Sequence, residues 1–269
     1  MSTAATGSAG GRTRLDEALV AAGLAETRSK ARALILAGEV RVNGAKIDRA
    51  GAPVRPADTL ELAGKPRFAS RGGEKLDTAL ATFGVDVQGM VVADFGASTG
   101  GFTDCLLQRG AAKVYAVDVG YGQLAERVRT DSRVVVLDRT NARHLESLPE
   151  PVDLVVIDVS FISLGLVLPA AARVLRPGGV CVPLVKPQFE AGRKDVGKGG
   201  VVRDAAVHAR VLRQALEAAR GSGFGALGLI ASPLLGPAGN REFLGQLVLG
   251  AVGAPDDELV AAALGEERE

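Results

Sequence analysis

The chain has 269 residues, 47% apolar and 23% charged, enough to bury the core of one ordinary domain plus a small one and too apolar for wholesale disorder. Its net charge of +1 hides a division: 13 Lys/Arg against 8 Asp/Glu over 12–75 (+5), and 19 against 23 over 76–269 (−4). A basic head on a mildly acidic body fits a head that meets a polyanion, and fits a solvated charged surface as well.

Residues 1–11 are small and uncharged, with neither the basic nor the apolar segment of a signal peptide, and are expected to form a disordered tail. Over 14–22, Leu15, Ala18, Leu19 and Ala22 share one helical face, and Gly23 ends the helix. Thr27 is the expected N-cap of a second helix over 28–37, stopped by Gly38, with Ala31, Leu34 and Ile35 inward and Arg28, Lys30 and Arg32 outward. A short strand over 40–42, an Asn43-Gly44 turn before Lys46-Ile47, and a strand over 59–62 follow. Residues 65–73 are rich in Gly, Pro and basic side chains and read as a linker. A helix over 74–83 then opens the body.

In the body, helices and apolar strands alternate. Strands are expected over 91–95, 113–117, 134–137, 153–157, 180–185, 227–231 and 243–249, and helices over 103–109, 123–128, 164–175 and 205–221. Such repeats predict a parallel sheet covered on both faces, with ligands at the carboxyl ends of the strands. Asp94, Asp118, Asp158 and Lys186 all fall there. Cys105 and Cys181 lie in apolar patterned segments, as reduced core residues of a cytosolic protein do. No stretch has the ~18 uninterrupted apolar residues of a membrane span.

The run Asp94-Phe95-Gly96-Ala97-Ser98-Thr99-Gly100-Gly101-Phe102 links an apolar strand to a helix through small residues, the outline of a nucleotide-type cofactor site. It has neither the GxGxxG spacing of a dinucleotide loop nor the GK[ST] of a phosphate loop. Asp118, 24 residues after Asp94, stands where an acid accepts from ribose hydroxyls. Asp94 suits a ligand carrying positive charge. S-adenosylmethionine meets both conditions, and Asp118 alone leaves NAD open. A lysine ending an apolar strand needs a carboxylate neighbour, so Lys186 is expected to be paired.

The head, RLDEALVAAGLAETRSKARALILAGEVRVNGAKI with a return strand at DTLEL, resembles the S4-type RNA-binding domain. This implies RNA contacts for Arg12, Arg14, Arg28, Lys30, Arg32 and Arg41, and Arg67 and Arg71 continue the basic character. Lys75, Asp158, Lys186 and Glu242 match the K-D-K-E tetrad of ribose 2′-O-methyltransferases with this kind of fold. A ribose hydroxyl is a poor nucleophile until it loses its proton. The match therefore implies that Lys186 is a general base or hydroxyl-orienting group, that Asp158 positions it, and that Lys75 and Glu242 complete the network. The Arg176-Pro177-Gly178-Gly179 turn also resembles one common in S-adenosylmethionine-dependent methyltransferases, and such folds hold adenine near the position of Asn141.

Taken together, SRGGEKL, DFGASTGGFTD, VDVGYGQL, RTNAR, DVSFISL, PLVKPQFE, GKGGVVRD and GPAGNREF resemble the TlyA family of ribosomal RNA 2′-O-methyltransferases, also labelled haemolysins. The resemblance spans roughly 12–250. One departure is Phe68, where some members have Trp in the linker. The family implies an α/β, Rossmann-like S-adenosylmethionine methyltransferase fold: a mostly parallel seven-stranded sheet with helices on both faces, and a small α+β S4-like head. The expected divisions are a tail (1–11), an S4-like domain (12–64), a linker (65–73), a methyltransferase domain (74–252) and a C-terminal tail or helix (253–269). The cofactor residues would be Asp94, Gly96, Ala97, Ser98, Thr99, Gly100, Gly101, Phe102, Asp118, Asn141 and Asp158, with no metal. The implied activity is cytidine 2′-O-methylation of ribosomal RNA in assembled subunits, by a cytoplasmic monomer with no membrane partner. A membrane-active haemolysin, a non-catalytic ribosome-assembly factor and a small-molecule methyltransferase are the competing readings.

Overall fold

The computed structural model describes residues 12–36, 38–62 and 66–265. The expected tail over 1–11 lies outside them, as do 63–64 at the end of the expected S4-like domain, 65 of the linker, and 266–269. The chain divides into two compact units, Met1–Arg67 and Phe68–Glu269.

The first unit runs β1 (Thr13–Arg14), α1 (Leu15–Ala21), α2 (Arg28–Leu36), β2 (Val40–Val42), β3 (Ala45–Lys46), β4 (Pro53–Val54) and β5 (Leu60–Leu62). Of the inward faces read from the 3.6-residue period, Leu15 and Leu19 of α1 and Ala31 and Ile35 of α2 form the core with Val40 and Val54, Ala18 and Leu34 pack against it partly buried, and Ala22, just past α1, is exposed. Thr27 Oγ1 accepts from Lys30 N at 3.2 Å, as the cap chemistry predicts. Antiparallel strands stand in the order β3-β2-β5. The two-residue pair β1–β4 was not anticipated, because two residues carry no periodic signal.

The second unit runs α3 (Gly72–Thr82), β6 (Val91–Phe95), α4 (Gly101–Gln108), β7 (Lys113–Val117), α5 (Glu126–Arg129), β8 (Val134–Leu137), β9 (Val152–Ile157), α6 (Leu168–Val174), β10 (Leu175–Val185), α7 (Pro187–Glu190), α8 (Ala205–Gly221), β11 (Phe224–Ala231), β12 (Phe243–Leu249) and α9 (Asp256–Leu264). Its seven strands lie in the order β11-β12-β10-β9-β6-β7-β8. Strands β8, β7, β6, β9 and β10 are parallel, while β12 runs antiparallel to both of its neighbours, β10 and the edge strand β11. The sheet is thus mostly parallel, with helices on both faces. On one face Val92, Val114 and Leu154 pack with Leu76 and Leu80 of α3 and Leu106 of α4. On the other, Phe95, Val117 and Ile157 pack with residues of α6, α8 and α9. The alternation of neighbouring residues between two buried faces is why these strands read as unbroken apolar runs.

Three local expectations shift. The helix expected over 164–175 is a 3₁₀ turn (Leu164–Leu166) followed by α6, because Pro169 sets the start of a new first turn. The turn at 176–179 is taken into β10 as a register irregularity between Leu175 and Val180. Phe68, placed by sequence in the linker, is buried in the second unit, and α3 begins at Gly72. A Cβ at Gly73 would run into the Phe68 ring, so the glycine lets that ring lie against the helix start.

Candidate active site

The chain order reverses between β6 and β9: β7 and β8 extend to one side of β6, and β9 and β10 return on the other. A crevice opens at the carboxyl ends of strands at such a point. Gly96, just past β6, has φ 88°, and a Cβ there would come within 2.6 Å of the Asp158 carbonyl oxygen. Only glycine allows the two strand ends to approach so closely.

Two adjoining clefts occupy this end of the sheet. The first, about 260 Å³, is lined by Lys75, Asp158, Lys186 and Glu242 together with Ser70, Arg71, Gly72, Gly96, Ala97, Ser98, Thr99, Gly101, Phe102, Ser160 and Pro237. The second, about 420 Å³, is lined by Asp118, Asn141, Thr140, Arg143, Gln123, Phe161 and Ile162 among others. Gly96, Ser98, Asp158 and Ser160 line both. The four residues of the expected tetrad therefore share one cleft, and Asp158 stands where it meets the other.

Two acid–base pairs organise the first cleft. Lys75, in the first turn of α3, donates to the Glu242 carboxylate, and both side chains are almost wholly buried. Lys186, one residue past β10, has its Nζ 2.6 Å from Asp158 Oδ1 and donates to Ser160 Oγ at 2.9 Å. The 2.6 Å contact lies off the hydrogen-bonding directions, so it is an ion pair by distance and leaves Oδ1 without an aligned donor. Glu242 reaches this edge because β12 is antiparallel to β10. Phe243 pairs with Val185, which sets the start of β12 beside the end of β10.

Asp94 is wholly buried beneath the loop rather than in either lining. Its Oδ2 accepts from Thr103 Oγ1 at 2.6 Å, and its Oδ1 has no donor among the described residues. Burial pushes its carboxyl up to about 7, opposed by the Thr103 hydroxyl and reinforced by Asp158 and Asp118. Asp118 accepts from Ser98 N at 2.8 Å through Oδ2 and from Gly120 N at 2.7 Å through Oδ1, which ties the ends of β6 and β7 together. Gly100 faces Leu124 and Val128 instead of the clefts and, at φ 88°, caps α4. Asn141 is exposed, and its Oδ1 accepts from Arg143 N.

Of the basic residues, Arg14, Arg28 and Arg32 converge on Asp16. Lys30 pairs with Glu26 at 2.5 Å, and Arg41 donates to the Gly44 carbonyl at 3.0 Å. Arg12 and Arg67 are exposed residues of the first unit. Arg71 lines the first cleft. Sequence reasoning missed Ser70, Ser160, Phe161 and Pro237. Only Ser160 carried a signal, as the hydroxyl two residues after Asp158. Phe161 stands at φ 63°, with its ring 4.8 Å from that of Phe189.

A family model for the FtsJ-like methyltransferase matches residues 68–247, and one for the S4 domain matches 13–60. The chain belongs to the FtsJ-like methyltransferase family. The chain is 48% identical over 236 residues to the 16S/23S rRNA (cytidine-2′-O)-methyltransferase TlyA of Mycobacterium tuberculosis, covering 86% of this chain and 88% of the relative. Hemolysin A of Brachyspira hyodysenteriae is 41% identical over 88% of this chain and 100% of its own length. A solved protein from Streptococcus thermophilus whose name also carries the word hemolysin superposes with a TM-score of 0.73 at 43% identity, covering 95% of this chain and 96% of that one. The FtsJ-like assignment places both clefts and all four tetrad positions inside the matched segment.

Proposed function

We propose that this methyltransferase uses S-adenosylmethionine to methylate the 2′-hydroxyl of cytidine in ribosomal RNA, acting in the cytoplasm as a monomer on assembled ribosomal subunits. Residues 12–64 would serve as the RNA-binding module and 74–252 as the catalytic one. The observation that carries this reading is the Lys186–Asp158 pair at the junction of two clefts, one flanked by acids and small residues and the other by paired lysines.

The acid set fits a cationic, hydroxyl-bearing cofactor. Asp94, Asp118 and Asp158 surround the loop at 96–99, and Asp94 Oδ1 is a buried acceptor lacking a donor among the described residues. Asp118 and Asn141 would hold the nucleoside in the larger cleft. Gly96, Ala97, Ser98, Thr99, Gly101 and Phe102 would line its path, while Asp94 and Gly100 shape the loop from below. When bound, S-adenosylmethionine supplies a methyl group on an electrophilic sulfonium.

In this reading Lys186 holds the acceptor oxygen, and in its uncharged form its Nζ would take the hydroxyl proton as the oxygen–methyl bond forms and the methyl–sulfur bond breaks, with Asp158 pairing the ammonium so formed. Asp158 and Ser160 keep the lysine in place. Lys75 and Glu242 neutralise one another beside it, so the cleft carries paired charges rather than an excess of either sign. Fixing the hydroxyl against the methyl group converts an encounter into a positioned reaction, which supplies much of the acceleration.

The reading is tested by incubating purified small and large subunits with the protein and methyl-labelled S-adenosylmethionine, then mapping the label. Label on a cytidine ribose is expected. Label on a base, or transfer to small molecules alone, overturns the assignment. The hemolysin name belongs to similar proteins, not to this chain. No helix among the described residues is long and apolar enough to cross a membrane. Lysis of erythrocytes by purified protein, undiminished in Lys186→Ala, would favour a membrane-active function instead.

A further inference from the structure

In the first unit one carboxylate is shared by three guanidinium groups. Asp16, in the first turn of α1, is wholly buried. Its Oδ1 accepts from Arg14 Nε at 3.0 Å. Its Oδ2 accepts from Arg14 Nη2 at 3.1 Å, Arg28 Nη2 at 3.3 Å and Arg32 Nε at 3.1 Å. Arg28 also reaches Glu17 Oε1 at 3.1 Å. The acid is covered while the arginines are not: their side chains are 45%, 51% and 54% exposed. The arginines hold the Asp16 carboxyl well below the ordinary carboxylate range.

The arrangement is asymmetric in a useful way. A guanidinium has five N–H donors, and the carboxylate engages at most two nitrogens of each. Both Nη groups of Arg32 and Nη1 of Arg14 have no acceptor among the described residues. Long arginine side chains on a surface ordinarily sample many rotamers, and ordering them on a ligand costs free energy. Here three are already fixed, from the β1 end and from two successive turns of α2.

We propose that Asp16 is a positioning residue that assembles Arg14, Arg28 and Arg32 into one preorganised clamp for backbone phosphates of folded RNA. The proposal rests on the reading of this unit as the RNA-binding module and adds how its affinity is made. Phosphates suit the site because planar guanidinium forks bind them with two parallel donors. Such contacts fix register without reading base sequence.

The inference makes a prediction opposite in sign to simple charge counting. Asp16→Asn removes a negative charge, so charge alone predicts tighter binding to RNA. The clamp predicts weaker binding, because an amide cannot hold three cations. The experiment measures the affinity of the full chain for purified ribosomal subunits over a range of salt. Asp16→Asn is expected to weaken binding about tenfold, as lost charge-assisted contacts would. The salt slope should fall by roughly 2, at about 0.9 per phosphate contact. Unchanged or tighter binding by Asp16→Asn overturns the proposal.

A triple variant, Arg14→Gln with Arg28→Gln and Arg32→Gln, separates the two levels. If it binds subunits like wild type, the RNA-binding reading of this face fails and the clamp with it. If it loses binding while Asp16→Asn does not, the reading stands and the clamp falls. Should Asp16→Asn fail to melt like wild type, Arg32→Lys carries the test. It keeps the charge and loses the fork, so about a fivefold loss is expected, and wild-type affinity overturns the proposal.

Discussion

The two units treat charge in opposite ways. The first shares one buried acid, Asp16, among three half-exposed arginines and so turns surplus positive charge outward. The second matches its cleft lysines one to one, Lys75 with Glu242 and Lys186 with Asp158, and leaves no lysine of the tetrad without a carboxylate. The difference follows from the ligand each would meet. A polyanion at a surface rewards an excess of cations held in order. A reacting hydroxyl in a closed cleft needs groups fixed in place, and a lone charge removed from water there would be costly.

The largest effect that would test this comparison is catalytic. Lys186→Ala should lower single-turnover methyl transfer by about 10³-fold, the scale of a lost acid–base group. Titration calorimetry should show S-adenosylmethionine affinity within a few-fold of wild type. Transfer at the wild-type rate would mean that the pair with Asp158 is structural.

Next in size is the stability of the buried pair. Glu242→Gln leaves Lys75 opposite a neutral group and should cost about 3 kcal/mol in urea unfolding. Combining it with Lys75→Met should restore most of that loss, since two neutral groups leave no uncompensated charge. A double variant no more stable than the single would show that the pair is not the source of the cost.

Asp94 extends the contrast to an acid with no cation partner among the described residues. Its carboxyl is raised to about 7, mainly by burial, so the folded chain keeps a proton that the unfolded chain has already released. Its contribution to stability is complete below the ordinary carboxylate range and is lost as pH rises towards 7. Asp94→Asn cannot ionise. It should therefore be more stable than wild type at pH 8, on the order of 4 kcal/mol, and nearly equal to it at pH 4. Melting curves at the two pH values decide this. The same variant should bind S-adenosylmethionine more weakly, and a gain in affinity would refute the cationic-ligand assignment.

The smallest effect sharpens the comparison within one helix. Among the described residues Lys30 pairs with the exposed Glu26 alone, whereas its neighbour Arg32 sits on Asp16. Lys30→Gln should change subunit affinity less than about threefold, since exposed pairs contribute little. If it matches the loss from Arg32→Lys, anchoring by Asp16 gives no advantage.

Much of the fold was legible because its signals are local. The period of 3.6 in α1, α2 and α8 and the largely apolar, β-branched-rich runs of β6 to β9 depend on residues a few positions apart. The acids at the carboxyl ends of β6, β7 and β9 were legible for the same reason: Asp94 lies next to the last residue of β6, and Asp118 and Asp158 directly follow β7 and β9, positions known once each strand is phased. Elements too short to repeat were not, as with β1 and β4. The direction of β12 was also illegible, since an apolar strand reads alike in either direction.

Sequence alone therefore determined the longer helices and strands, most of the residues that face inward, and that acids and a lysine gather at the carboxyl ends of the strands. Its motifs also carried the family. Only the tertiary structure decided who pairs with whom. Lys75 meets Glu242 across 167 positions because an antiparallel strand returns to the edge where α3 begins. Arg14, Arg28 and Arg32 looked like separate surface cations until two helices packed and closed them on Asp16. Local chain chemistry sets the elements, but a charge's partner depends on strand direction, register and helix packing, which no short window of residues contains.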